Sequence, residues 1–308
     1  MRYNTIGGGG GDGLRVSAVG VGCNAFGGRS DQAQTAAIID QALDAGINFI
    51  DTANTYGGGL SEQYIGKALG PRRQDVILAT KFGLRDGASR EVIMASAEAS
   101  LGRLGTDYID LYQLHAPDTA TPMEETLAAL DELVAAGKVR FIGCSNLTGS
   151  QLSDALRLSR DMGVAAFITA QNPYNLLQRD IEGGLVPVCR EYHIGILPYY
   201  PIQRGLLTGK YRRGEPPPAG TRLAAGGRGT HLLNDTTFDR IERLQEFATA
   251  RGHSVLELAV SWLASQPHIA SVIAGVSKPE QVLSNVSAAD WALTPEDFAA
   301  LDRIVPGP

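Results

Sequence analysis

The chain has 308 residues, of which 44% are hydrophobic and 19% charged, so it carries enough apolar side chain for one large core. Lys+Arg 27 against Asp+Glu 33 leaves a formal charge of −6, and no Lys/Arg run supplies the basic field that nucleic acid requires. No stretch nears the ~18 apolar residues of a bilayer span, and the polar, Gly-rich N-terminus holds no signal-peptide core.

Along the chain, β-rich runs alternate with helical periodicity. A strand over residues 16–21 precedes a helix over 34–45, and a strand over 47–51 precedes a helix over 62–69. The pattern continues with strand 76–80, helix 90–104, strand 109–113 and helix 122–136. Strand 139–144, helix 151–162, strand 167–171, helix 181–192 and strand 194–199 follow. A Gly-, Pro- and Arg-rich segment over 211–237 then interrupts the alternation. Helices over 238–250 and 255–265, a strand over 271–274 and helices over 279–288 and 295–304 close the chain.

Eight strands separated by helices imply parallel pairing, because each crossover needs a helix. A doubly wound open sheet satisfies that alternation as well. Eight units without a composition break favour the closed α/β form, a (β/α)8 TIM barrel with a short N-terminal β-hairpin and extra C-terminal helices. One domain over 1–308 is expected. Segment 211–237 follows the seventh strand, so in a barrel it lies over the C-terminal face as a lid, or else it is a disordered insertion. The three cysteines, Cys23, Cys144 and Cys189, are odd in number, widely spaced and without a CxxC. Buried thiols in a reducing cytoplasm are expected, with no disulfide framework and no metal site.

Gly8, Gly10 and Gly13 satisfy G-x-G-x-x-G, the dinucleotide fingerprint. The context is wrong for it. No apolar strand precedes the glycines, and Leu14-Arg15-Val16-Ser17-Ala18-Val19 reads as a strand where a helix is required. A turn between two short N-terminal strands fits better.

The chemistry lies at strand ends. Asp51 and Tyr56 follow the second strand, Lys81 the third and His115 the fourth. In a barrel these ends meet at one mouth. Singly, each has an ordinary reading: a strand-end cap, a half-buried aromatic, a solvated lysine, a hydrogen-bonded histidine. Together they fit carbonyl reduction. Hydride arriving at carbon leaves charge on oxygen, and a tyrosine with an ordinary pKa near 10 gives up its proton reluctantly. A neighbouring Lys⁺ lowers that pKa, an Asp holds the ammonium, and an imidazole donates to the carbonyl oxygen.

Asp51-Thr52-Ala53-x-x-Tyr56-Gly57 followed by Ser61-Glu62 resembles the aldo-keto reductase signature. Lys81 within Thr-Lys-Phe-Gly and His115 within Asp110-Leu111-Tyr112-Gln113-Leu114-His115 are similar to its next two blocks. The likeness runs on through residues 137–146, 171–175 and 205–210, and so covers nearly the whole chain. It implies Tyr56 as general acid, Lys81 as its partner, Asp51 as the support of Lys81, and His115 as the group that orients the carbonyl. It also implies NADP(H) bound on a barrel without a Rossmann fold, and a small-molecule carbonyl substrate, with no nucleic acid or membrane partner.

The same resemblance assigns Ser145, Asn146 and Gln171 to the nicotinamide carboxamide and Tyr199 to the nicotinamide ring. Cys23 and Asn24 join the cofactor set on the same ground. Relatives commonly read aromatic-Ser-Pro-Leu where this chain has Tyr199-Tyr200-Pro201-Ile202, so the diphosphate contact there is altered. Backbone amides around Gly205 and Leu207, with Lys210, are the alternative cradle. Gly275, Ser277 and Lys278 lead into a helix carrying Gln281 and Asn285. The resemblance places the adenosine 2′-phosphate at that helix start and Asn285 near the adenine. Gln281 stands where some relatives use arginine, and Arg222 in the long segment is a second candidate for the phosphate.

Two other functions share these motifs. One is a cofactor-binding regulatory module like the potassium-channel β subunits, whose histidine position is asparagine where this chain has His115. The other is an NAD-dependent alcohol or sugar dehydrogenase, which shares the tetrad and differs in cofactor preference.

Overall fold

A computed structural model describes residues 1–7, 13–224 and 229–308. Strand β1 (Tyr3–Ile6) pairs antiparallel with β2 (Leu14–Ser17), setting Ile6 opposite Leu14. Gly8 and Gly10 of the glycine motif lie outside the described residues. A strand, β2, does follow Gly13 where the fingerprint demands a helix.

Next come β3 (Val19–Gly22), α1 (Gln32–Asp44), β4 (Phe49–Asp51), α2 (Leu60–Leu69), β5 (Ile77–Phe82) and α3 (Arg90–Leu104). They are followed by β6 (Ile109–Leu114), α4 (Met123–Ala135), β7 (Val139–Ser145), α5 (Gly149–Met162), β8 (Phe167–Gln171), α6 (Leu185–Glu191) and β9 (Gly195–Ile196). The chain ends with α7 (Asp235–Thr249), α8 (Val255–Ala264), β10 (Val272–Gly275), α9 (Pro279–Ser287) and α10 (Pro295–Ile304). Asp31, Thr148, Ser254 and Thr294 start α1, α5, α8 and α10 with reciprocal capping boxes. Each such cap contributes ~1 kcal/mol by satisfying free helix amides.

Eight parallel strands run in the order β10-β3-β4-β5-β6-β7-β8-β9. The sheet curls back on itself. Ile196 N donates to His268 O at 2.9 Å, Ala270 N to Ile196 O at 2.9 Å, and Ile273 N to Pro198 O at 3.1 Å. These bonds tie β9 to the segment entering β10, as a (β/α)8 barrel requires.

Two apolar layers follow from strand alternation. Ile38, Leu78, Leu130, Ile142 and Phe167 belong to the buried layer between strands and helices. Phe49, Ala79, Leu111 and Leu197 face inward and pack with Ile6, Leu14 and Val16, so the hairpin stoppers the barrel floor. With a period of two, the next inward positions above Phe49, Ala79 and Leu111 are Asp51, Lys81 and Gln113.

Three expectations are corrected. The strand over 16–21 breaks at Ala18 between β2 and β3, where Ser17 Oγ donates to Val19 O at 2.8 Å and turns the chain from floor to wall. The strand over 194–199 shortens to Gly195–Ile196, because Pro198 has no N–H for the ladder. The helix over 181–192 divides at Gly184 into a 3-10 turn (Asp180–Gly183) and α6. Among the described residues no helix is long and apolar enough to cross a membrane.

Candidate active site

Asp51 and Lys81 meet in the barrel interior. Lys81 is fully buried and gives Nζ to Asp51 Oδ2 at 2.6 Å and to Thr52 O at 2.8 Å. Burial alone would lower the Lys81 pKa, but Asp51 and Tyr56 outweigh it and hold the ammonium above its ordinary value. Asp51 Oδ1 accepts from Gln171 Nε2 at 2.9 Å and Gln113 Nε2 at 3.1 Å. Both charges of the pair are thus held by hydrogen bonds, the condition under which buried charges are tolerated.

Tyr56 stands over this pair, with Lys81 Nζ 5.3 Å from its ring centroid. Burial raises the phenol pKa, and the pull of Lys81 in the lowering direction only partly offsets it. Lys81 thus acts in the expected lowering direction, but burial is the larger effect, and the phenol is protonated throughout the neutral range.

His115 lies edge-on to Tyr56, with ring centroids 5.9 Å apart and planes at 79°. Burial, reinforced by repulsion from Lys81, pushes its pKa down to about 3, so the imidazole is neutral at pH 7. Its Nδ1 is buried without a hydrogen-bond partner among the described residues. A neutral ring suits hydrogen bonding to a carbonyl oxygen better than proton donation.

A cleft of about 710 Å³ opens above these groups. Asp51, Tyr56, His115, Cys23, Asn24, Ser145, Asn146, Gln171, Tyr199 and Tyr200 line it. So do Pro201, Ile202, Gly205, Lys210, Arg222, Gly275, Ser277, Lys278 and Gln281. Lys81 sits beneath the cleft rather than on its wall. Leu207 and Asn285 are buried and do not line it.

The nicotinamide-facing candidates form one network. Tyr199 OH donates to Asn146 Oδ1 at 2.6 Å, and Asn146 Nδ2 donates to His115 O at 2.9 Å and Ser145 Oγ at 3.0 Å. Asn146 takes a left-handed φ of 62°, a conformation that asparagine tolerates better than most residues. Gln171 spends its amide nitrogen on Asp51 and Gln113, which leaves its oxygen for a donor in the cleft.

Two backbone anion sites expected from sequence are already filled. The amides of Gly205 and Leu207 both donate to Ile202 O, at 2.8 and 3.2 Å. At the start of α9, Gln281 Oε1 accepts from Ser277 N at 2.7 Å and Lys278 N at 3.2 Å, while Pro279 has no N–H. The positive charge at the cleft is carried instead by side chains. Arg29, Arg204, Lys210, Arg222 and Lys278 line the cleft, and none pairs with a carboxylate among the described residues. Tyr200, at a left-handed φ of 56°, holds Arg204 and Arg222 over its ring, with guanidinium carbons 4.1 and 5.1 Å from the centroid. Burial, then repulsion from Arg29 and Arg204, depresses the Arg222 pKa despite the nearby Tyr200. Such a cluster is stable with an anion among it.

Residues 219–222 of the long segment reach this cleft, as a lid would. Leu223 beside them is fully buried, and its amide donates to Tyr211 OH at 3.3 Å. Arg29 and Arg204 were not anticipated from sequence. Their one signal is a cation next to glycine in a loop after a strand, which many surface loops share.

Fold and site together are those of a barrel oxidoreductase. Residues 18–306 match the aldo/keto reductase family, and the chain belongs to it. It is 37% identical to "Aldo-keto reductase YhdN" of Bacillus subtilis, over 95% of this chain and 91% of that protein. It is 34% identical to "Probable voltage-gated potassium channel subunit beta" of Oryza sativa, over 99% of this chain and 97% of that protein. It is 32% identical to "L-glyceraldehyde 3-phosphate reductase" of Escherichia coli, over 94% of this chain and 89% of that protein.

Proposed function

We propose that the protein is an NADPH-dependent carbonyl reductase with Tyr56 as general acid. The observation that carries this reading is the buried Asp51–Lys81 pair beneath a protonated Tyr56, beside a neutral His115. The residues present fit the cofactor. Five cations without carboxylate partners among the described residues suit a nucleotide bearing three phosphates. The free oxygen of Gln171, with Ser145 and Asn146, suits a carboxamide.

Bound NADPH supplies the hydride to the carbonyl carbon. The chain's own residues handle the charge that develops on oxygen. His115 donates a hydrogen bond that orients the carbonyl, and the Tyr56 phenol gives its proton to the oxygen. Lys81, kept cationic by Asp51, stabilises the phenolate left behind. Pro201, Ile202 and Tyr199 exclude water from one wall of the cleft, while Lys278 and Arg222 take the 2′-phosphate. The substrate is a small aldehyde or ketone.

The test is NADPH consumption, followed at 340 nm, against aldehydes, ketones and sugars. The panel includes glyceraldehyde 3-phosphate, named for the Escherichia coli relative. Turnover of at least one carbonyl that is lost in Tyr56→Phe supports the reading. Tight NADPH binding with no turnover of any carbonyl overturns it, and favours the regulatory role suggested by the name of the rice relative.

A further inference from the structure

The inward-facing layer that holds Asp51 and Lys81 also holds Gln113, Gly143 and Gln171, one from each following strand. Gln113 is fully buried on β6 and lies outside the cleft lining, beneath the residues that face the cleft. It is nonetheless hydrogen-bonded to two residues that do line it, Asp51 and Gln171. Its Nε2 donates to Asp51 Oδ1 at 3.1 Å, and its Oε1 accepts from Gln171 Nε2 at 3.4 Å. Gln171 Nε2 reaches the same carboxylate oxygen at 2.9 Å. Gly143 makes room for this triangle: a Cβ there would stand 3.2 Å from Gln113 Cγ and would collide with Thr169 Oγ1.

Donor and acceptor capacities fix the orientation of both amides. A carboxylate only accepts, so Gln113 and Gln171 must each present nitrogen to Asp51. With Gln113 Nε2 so committed, its oxygen is the acceptor left for the second N–H of Gln171. Gln171 therefore cannot flip without setting its carbonyl against the carboxylate, and its own oxygen is directed to the cleft as an acceptor.

We infer that Gln113 is a positioning residue with two linked tasks. It orients Asp51 so that Oδ2 is left for Lys81, and it locks Gln171 so that the cleft presents an acceptor to the carboxamide N–H of the cofactor. A merely space-filling Gln113 would need only its volume. This role needs one donor and one acceptor in that order, and rests on the reductase reading above.

Two substitutions separate the possibilities. Gln113→Met keeps the length and loses both polar groups. Gln113→Glu reproduces the donor–acceptor pattern only while the new carboxyl is protonated: its O–H then donates to Asp51 and its C=O accepts from Gln171. Burial and the adjacent Asp51 carboxylate raise the pKa of a carboxyl placed there well above the ordinary range. In Gln113→Glu, kcat should stay within about threefold of wild type near pH 5.5. It should then fall at least roughly tenfold as pH rises to 8.5, the loss set by a hydrogen bond to a charged group. Gln113→Met should be depressed roughly tenfold at every pH and should weaken NADPH binding.

The measurements are kcat from pH 5.5 to 8.5, the NADPH dissociation constant, and Tm at each pH. Wild-type rates and flat profiles in both variants overturn the inference, as does a Gln113→Glu profile that tracks Gln113→Met throughout. If Gln113→Met does not fold, the pH profile of Gln113→Glu decides alone. If wild type itself turns over no carbonyl, the reductase reading fails on that control. The Tm gap between Gln113→Glu and wild type then tests the geometry: it must widen with rising pH if position 113 faces Asp51, and a constant gap overturns the placement.

Discussion

The Tyr56 and His115 rings meet edge to face, centroids 5.9 Å apart, and both residues line the cleft. If the phenol gives the proton, Tyr56→Phe should lower turnover by roughly 10²–10⁴-fold. NADPH binding should barely change, because the phenol serves the transition state. Single-turnover hydride transfer, measured beside the NADPH dissociation constant, checks both halves. A near-normal kcat would remove Tyr56 from the role.

His115 should act by hydrogen bonding, since its imidazole titrates only near pH 3. His115→Gln should then retain more activity than His115→Ala, because an amide still donates to the carbonyl oxygen. Equal and complete loss in both folded variants would point to proton transfer by the histidine.

The same burial makes a stability prediction. The folded-state pKa of His115 lies below its unfolded value near 6.5, so the unfolded chain binds the extra proton first. Stability is whole above pH 6.5 and is lost as pH falls toward about 3. Urea unfolding of His115→Gln from pH 7 to 4 should show a shallower loss than wild type. Parallel curves would contradict the buried, neutral imidazole.

Lys81 and Asp51 form a buried pair that is destabilising to break from one side. Lys81→Met leaves the Asp51 charge uncompensated and should cost about 3–5 kcal/mol, while the double variant with Asp51→Asn should recover part of that. Denaturant midpoints of the two single variants and the double report the coupling. Additive losses would mean that the pair contributes nothing as a pair.

At the adenosine end, Lys278 lies on the exposed rim of the cleft and Arg222 is half-buried in its wall. A charge-assisted bond to phosphate is worth about 1.5–3 kcal/mol, or roughly 10- to 150-fold in affinity. Exposure puts Lys278→Ala near the lower bound for NADPH, with NADH hardly affected, and Arg222→Ala should add to it. Calorimetry at fixed ionic strength gives the constants. Equal weakening of both dinucleotides would remove the 2′-phosphate from this corner.

Local pattern made much of this protein legible from the sequence. Apolar runs alternating with amphipathic helices announce a parallel α/β barrel, and each strand carries its own turn signals. Asp51, Tyr56, Lys81 and His115 are readable because strand ends in a barrel converge, whatever the exact lengths. Tertiary structure decided what depends on register between distant strands. Gln113 reads as one more strand residue until β4, β6 and β8 bring it beside Asp51 and Gln171. Gln281 reads only as a residue at a helix start until the fold shows its side chain accepting from two amides of its own loop at the cleft wall. Arg29 and Arg204 come to the cleft from loops far apart in the chain. The state of Tyr56 is likewise a tertiary property, because burial and Lys81 oppose each other there and only the packed structure sets which is larger. Hydrophobic periodicity is written within one element. Hydrogen-bond partnership across a barrel and the degree of desolvation belong to no single element, and so they appear only when the elements close on one another.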